Sequence, residues 1–488
     1  MSNQRTPGAF VRAAVLVCGG LILSASATRA DPTVWESCED AGRKALKAGR
    51  YAEAEKLLKQ AVAEAECFGP ADARLAISLN NLAAMYDSQG TYDQSEPLHK
   101  RALALREQAL GADHPDVANS LNNLAALYHA QRKYEQAEPL FERALAIREK
   151  ALGADHPDVA NSLNNLGALY HAQRKYDEAE PLFKRALAIL EKTRGAEHPD
   201  LASSLNNLAV LYHTQGKYDQ AEPLYKRALA IREQALGADH PDVASSSDNL
   251  AALYRAQGKY DQAEPLYKRA LAIREQSLGA EHPDLASSLN NLAVLYHTQG
   301  KCDQAEPLYK RALAIREQAL GANHPDVANS LNGLAVLNCT QGKLDQAEPL
   351  LKRALTIREQ ALGPDHPDVA SNSDNLAALY RAQRKYDQAE PLYKRALAIR
   401  EQALGPDHLD VANSLNNLAN VYSVQGQYDQ AEPLLKRALT IREKAPGMDH
   451  AAVATALENY ATLLERTNRR GEAEKLRAQA DKIRVAQP

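Results

Sequence analysis

The chain has 488 residues, with 58 Lys+Arg against 62 Asp+Glu, a formal net charge of -4 and 45% hydrophobic residues. That near balance leaves no basic field to attract nucleic acid, and the hydrophobic content excludes a disordered chain. Length alone suggests about three domains, an inference that the internal periodicity replaces.

The first element is unlike the rest. Arg5 and Arg12 precede an apolar run from Ala13 to Ala27, and no acidic residue occurs before Asp31. Small residues permit cleavage after Ala27 or Ala30, so residues 1–30 have the layout of a secretory signal peptide. The run is too short for a good membrane span, and Val17 stands where a lipid anchor at Cys18 would want a small residue. No later segment reaches membrane length. The mature chain is therefore expected to be exported, to the periplasm or beyond, with no membrane span.

From there a 42-residue period governs the chain. Asn123 recurs as Asn165, Asn207, Asn249 and Asn291, becomes Gly333, and returns as Asn375, Asn417 and Asn459. His114 recurs as His156, His198, His240, His282, His324, His366, His408 and His450. A fixed period of this size means a stacked array of units that bury their faces against one another.

Each unit carries two helical patterns. In the first, Val117, Leu121, Leu124, Ala125 and Tyr128 share one side of a 3.6-residue wheel, with Asn119, Asn122, Asn123, Ala126 and His129 on the other. In the second, Ala137, Phe141, Ala144, Leu145 and Ile147–Arg148 form another apolar stripe. "QRK" or "QGK" makes a tight turn between them. Gly153 is placed as a C-terminal cap, Pro115 suits the first helical position, and Asp116 the positive first turn.

These residues resemble the tetratricopeptide repeat (TPR): Leu121, Leu124, Ala125 (Gly167 in the next unit), Tyr128, Ala137, Phe141 and Ala144 match its pattern. With "LGADHPDVA", "SLNNLA" and "AEPLYKRALAIRE", the unit is most similar to the longer repeats of the kinesin light chain type. The resemblance covers roughly residues 34 to 485. It implies an all-α, right-handed superhelical solenoid of about eleven antiparallel helix pairs. Residues 31–74 are the expected N-terminal capping repeat, 75–452 the tandem units, and 453–488 the C-terminal cap and tail. The end units read "AEKL", with Lys56 and Lys475, where interior units carry "AEPL" or "SEPL" with a proline such as Pro139. Terminal units need a solvated face. No heptad coiled coil accompanies the repeats, so a motor-subunit role is not implied.

The histidine ladder superficially suggests metal or acid–base chemistry. Ligand nitrogens must converge within roughly 2 Å of one ion, whereas equivalent positions in stacked helices lie on the order of 10 Å apart. An enzyme needs one convergent constellation, and no G-x-S-x-G, phosphate loop, H-E-x-x-H or C-x-x-C occurs. The expectation is a non-catalytic chain with no cofactor and no metal, whose "HPD" starts a helix.

The asparagine ladder differs, because an amide both donates and accepts. The resemblance implies that the first helix lines a concave groove and that an asparagine matching Asn123 bonds the backbone of an extended peptide. The candidate groove residues are Asn81, Asn122, Asn123, Asn164, Asn165, Asn206, Asn207, Asn249, Asn290, Asn291, Asn375, Asn416 and Asn417, with Arg255 and Arg381. The alternative is that these amides cap or crosslink adjacent helices. Arg255 and Arg381 accompany two coupled changes, Ser247–Asp248 and Ser373–Asp374, and read either as charged recognition spots or as duplication of a three-unit block. Four cysteines outlast the signal. Cys38 with Cys67, and Cys302 with Cys339, are placed to pair, with apolar filling as the simpler account. Function is expected to be protein binding in the groove, or alternatively assembly of an envelope secretion or export machinery through the convex face or ends.

Overall fold

A computed structural model describes residues 31–69, 72–444 and 450–485. Among them every regular element is α-helical: 22 helices in eleven antiparallel pairs, from Pro32–Lys47 with Tyr51–Cys67 to His450–Arg466 with Arg470–Val485. Residues 1–30, and with them the expected signal peptide, lie outside the described residues.

Local chemistry sets each helix boundary. In the third unit (Pro115–Ala130 with Tyr134–Leu152) His114 is the N-cap, its Nδ1 accepting the Asp116 N–H at 3.1 Å, and Pro115 occupies a position whose missing N–H costs nothing. The first helix ends at a left-handed residue, Arg132 at φ 55, and the Lys133 N–H reaches back to the Tyr128 carbonyl at 2.8 Å. The second helix stops at Gly153, φ 89 and ψ 153, a region essentially closed to other residues.

The expected core is the observed one. Leu121, Ala125, Ala137 and Ala144 are fully buried, and Leu124, Tyr128 and Phe141 nearly so. Small residues let the paired helices approach: a Cβ built on Gly167 would sit 2.8 Å from the Phe183 ring. Units are tied edge to edge by a polar relay. The Tyr128 hydroxyl donates to Glu96 Oε1 of the preceding unit at 3.0 Å, and Lys100 donates to the same oxygen at 2.6 Å. The motif recurs at Tyr212–Glu180–Lys184 and Tyr460–Glu432–Lys436. Lys436 and Arg469 hold the Glu432 carboxyl down to about 2.

The closer direct contacts between alternate helices run between first helices, such as Pro115–Ala130 with Pro157–Ala172. First helices therefore lie on the inside of the curve. The curve closes on itself. Arg132 pairs with Asp368 at 3.0 Å and Arg174 with Asp410 at 3.2 Å, each 236 residues on, between five and six 42-residue units. Along the same seam His282 Nε2 meets the Lys47 carbonyl at 3.1 Å and His324 Nε2 the Ser88 carbonyl at 3.3 Å. Each interhelix turn of units one to four thus faces the loop six units later, "HPD" in units seven to nine and "HLD" in unit ten.

Candidate binding groove

The two adjacent amides of "NN", grouped together on the sequence wheel, part company in the structure. The first is drawn in between neighbouring inner helices. Asn122 and Asn164 are only 7% and 8% exposed, and Asn164 Nδ2 donates to Ser204 Oγ, one unit on, at 2.7 Å. Asn290 reaches Ser330 at 3.4 Å in the same way, and Asn206 accepts from Asn249 at 2.7 Å. Asn206, Asn290 and Asn416 are half-buried. The grouping of Asn122 and Asn164 with the groove side is corrected here: a 100° step turns them in against the next helix, where both are buried and Asn164 crosslinks.

The second amide varies in exposure along the ladder, and Asn249 and Asn291 are engaged by Asn206 and Asp248. Asn123 and Asn165 are exposed; Asn207, Asn249, Asn291, Asn375 and Asn417 are half-buried. Asn81 is also half-buried and is held by Glu39, to whose Oε2 it donates at 2.6 Å. Toward the C-terminal end, Asn416, Asn420 and Asn459 line an open cleft of about 110 Å³ floored by Leu435.

A second repeated feature escaped the sequence reading. The arginine of "AIRE", which the helical wheel places on an apolar stripe, is a buried clamp. Arg148 donates to Ser162 Oγ at 2.8 Å, to the Asp158 carbonyl at 3.0 Å and to Asn119 Oδ1 at 2.6 Å, locking two inner helices from behind. Arg316 and Ser330 repeat it. The signal was present, since Arg, Ser and Asn recur in phase, but only their convergence gives it meaning.

That clamp also explains the Asp248 and Asp374 variants. Arg274 bonds both Asp248 and Ser288, and Arg400 bonds Asp374 at 2.5 Å and Ser414. Burial raises both aspartate pKa values, opposed by the guanidinium beside each. Ser247 and Ser373 return their hydroxyls to their own helix, at Val243 and Val369. These acids are internal ion pairs. Arg255 and Arg381 alone remain half-open at the inner surface, near Tyr267 and Tyr393. Elsewhere that slot holds histidines whose pKa burial lowers, as at His129, His171 and His213.

The four cysteines are free thiols in the structure, in keeping with the simpler of the two readings for them. Cys38 is buried, Cys67 exposed, and Cys302 and Cys339 intermediate; Cys67 Sγ is spent on the Ala63 carbonyl. Among the described residues no cluster of His, Cys, Asp or Glu could hold a metal ion, and no helix is long and apolar enough to cross a membrane.

Comparison with known proteins agrees with this architecture. The tetratricopeptide repeat profile matches residues 44–107, 74–150, 116–192, 158–234, 200–276, 242–318 and 284–360, and the nephrocystin-3 TPR domain profile matches 338–446. No curated protein matches the chain. Similar solved structures include the nearly identical kinesin light chain TPR-like repeats of a Podosopora anserina protein (31% identity, 42% of this chain and 97% of that one, TM-score 0.36). Another is BtubC (BKLC) from P. vanneervenii (28% identity, 50% and 92%, TM-score 0.37). A Rap protein complexed with competence and sporulation factor shares the fold at 15% identity (76% and 98%, TM-score 0.50). Matched along most of its length by repeat profiles, and built of eleven such helix pairs, this chain belongs to the tetratricopeptide-repeat family.

Proposed function

We propose that the chain is a non-catalytic, exported scaffold that holds extended segments of partner proteins along its inner face, with the second-amide ladder as the contact points. The observation that carries this reading is the division of labour within "NN". The first amide is buried between inner helices, as at Asn122 and at Asn164, which donates to Ser204, whereas Asn123 and Asn165 are left exposed on the inside of the curve. A free amide satisfies both the N–H and the C=O of a peptide unit, whatever its side chain. Neighbouring inner helices lie on the order of 10 Å apart, which accommodates roughly three extended residues at about 3.3 Å each. One peptide unit in three would therefore meet an amide. Arg255 and Arg381 add positive charge at two points and favour acidic residues there.

The test is capture of partners from an envelope extract by the wild type and by the triple variant Asn123→Ala, Asn165→Ala, Asn207→Ala. Loss of bound partners with an unchanged helical signal supports the groove. Retention of every partner sinks it.

A further inference from the structure

The seam between successive superhelical turns is asymmetric: interhelix turns on one side, HPD or HLD loops on the other. Units one to four supply the turns and units seven to ten the loops. Among the described residues two rims are left uncovered, the turn rim of the later units and the loop rim of the earlier ones. Each free rim repeats the chemistry of its paired counterpart. On the loop rim, His114 and His156 remain 41% and 40% exposed, against 8% and 6% for His282 and His324 inside the seam. On the turn rim, a Cβ built on Gly258 or Gly300 meets nothing within 4 Å, whereas one on Gly49 would meet Pro283 at 2.9 Å.

Arg384 gives the match its specificity. Most of these turns place glycine at the left-handed position; Arg132, Arg174 and Arg384 instead hold an arginine at φ 55, 60 and 58. Arg132 and Arg174 reach the first-turn aspartate six units on, Asp368 of "HPD" and Asp410 of "HLD". Arg384 lies in unit nine, two units before the last described helix pair. We propose that the partner of this rim is a second copy of the chain, stacked coaxially so that its loop rim sits on the turn rim of the first and continues the superhelix. If unit one of the second copy follows unit eleven of the first, the position six units beyond Arg384 is unit four, whose HPD aspartate is Asp158, a half-exposed carboxylate beside the buried Arg148. The contact joins two different surfaces, so it leads to open-ended stacks rather than a closed dimer.

Sedimentation of the full mature chain over a wide concentration range, at low and high salt, tests this. The average mass should exceed that of one chain at high concentration, keep rising beyond twice that value, and fall with salt. Arg384→Glu should return the protein to single-chain mass, and Arg384→Glu mixed with Asp158→Arg should restore association. Arg132→Glu, which breaks only one part-solvated internal pair, should leave the mass rise in place. Single-chain mass at every concentration, or an Arg384→Glu variant that stacks like the wild type, overturns the proposal.

Discussion

Arg132 and Asp368 are 236 residues apart in the chain and 3.0 Å apart in space. That contact, with Arg174–Asp410 beside it, turns an open spiral into stacked turns. Both pairs are partly solvated, so each contributes at most about 1 kcal/mol. Arg132→Glu alone should therefore have a small effect. Arg132→Glu with Arg174→Glu should expand the particle in small-angle scattering, while the far-ultraviolet circular dichroism stays unchanged because no unit loses its core.

The seam should also be acid-sensitive. Burial lowers the pKa of His324, His366 and His408, His366 to about 4. In His324, Nδ1 accepts the Asp326 N–H, so the proton sits on Nε2 and is given to Ser88. The neighbouring Asp326, Asp368 and Asp410 favour a second proton, while Arg132, Arg174 and Arg358 oppose it. An imidazole released from the seam takes that proton near pH 6.5, and the buried one does so only lower. The seam's contribution is thus complete above about pH 6.5 and declines as pH falls toward 4. Hydrogen exchange of the loops at His324 and His366 should accelerate over that window, and His366→Asn, which keeps a capping acceptor, should weaken the effect.

The buried clamp gives a contrast between two substitutions at one site. Arg274→Met strands Asp248 in the interior and should destabilise units six and seven by about 3–5 kcal/mol. Asp248→Asn recreates the residue found in most other units and should change stability by less than about 1 kcal/mol. Native-state hydrogen exchange restricted to those units reads both, since a repeat array need not unfold as one body.

Gly153 tests the helix stop. At φ 89 and ψ 153 an alanine carries backbone strain of about 1–3 kcal/mol, although open space surrounds the site. Gly153→Ala should lower the local opening energy between units three and four, measured by exchange of the Gly153–Val159 segment.

Much of this structure was legible in the sequence because it is local. The 42-residue period, the wheel of Leu121, Leu124 and Tyr128, Pro115 after a capping residue and Gly153 at the stop each depend on neighbours a few residues away. What could not be read depends on placement in three dimensions. Asn122 and Asn123 differ by one helical step, which decides between a crosslink and an open amide. Arg148 looked like part of an apolar stripe because its role is fixed by Asn119 and Ser162 on other helices. His114 and His324 occupy identical motifs, and only the pitch of the superhelix makes one an exposed cap and the other a seam contact.

The most direct test of the central claim is site-specific photocrosslinking along the inner face. A photoreactive residue in place of Asn165 should give covalent adducts with partner polypeptides, and the same residue in place of Glu142, an exposed position of a second helix, should not. Adducts from Glu142 alone, or equally from both positions, would contradict binding in the groove.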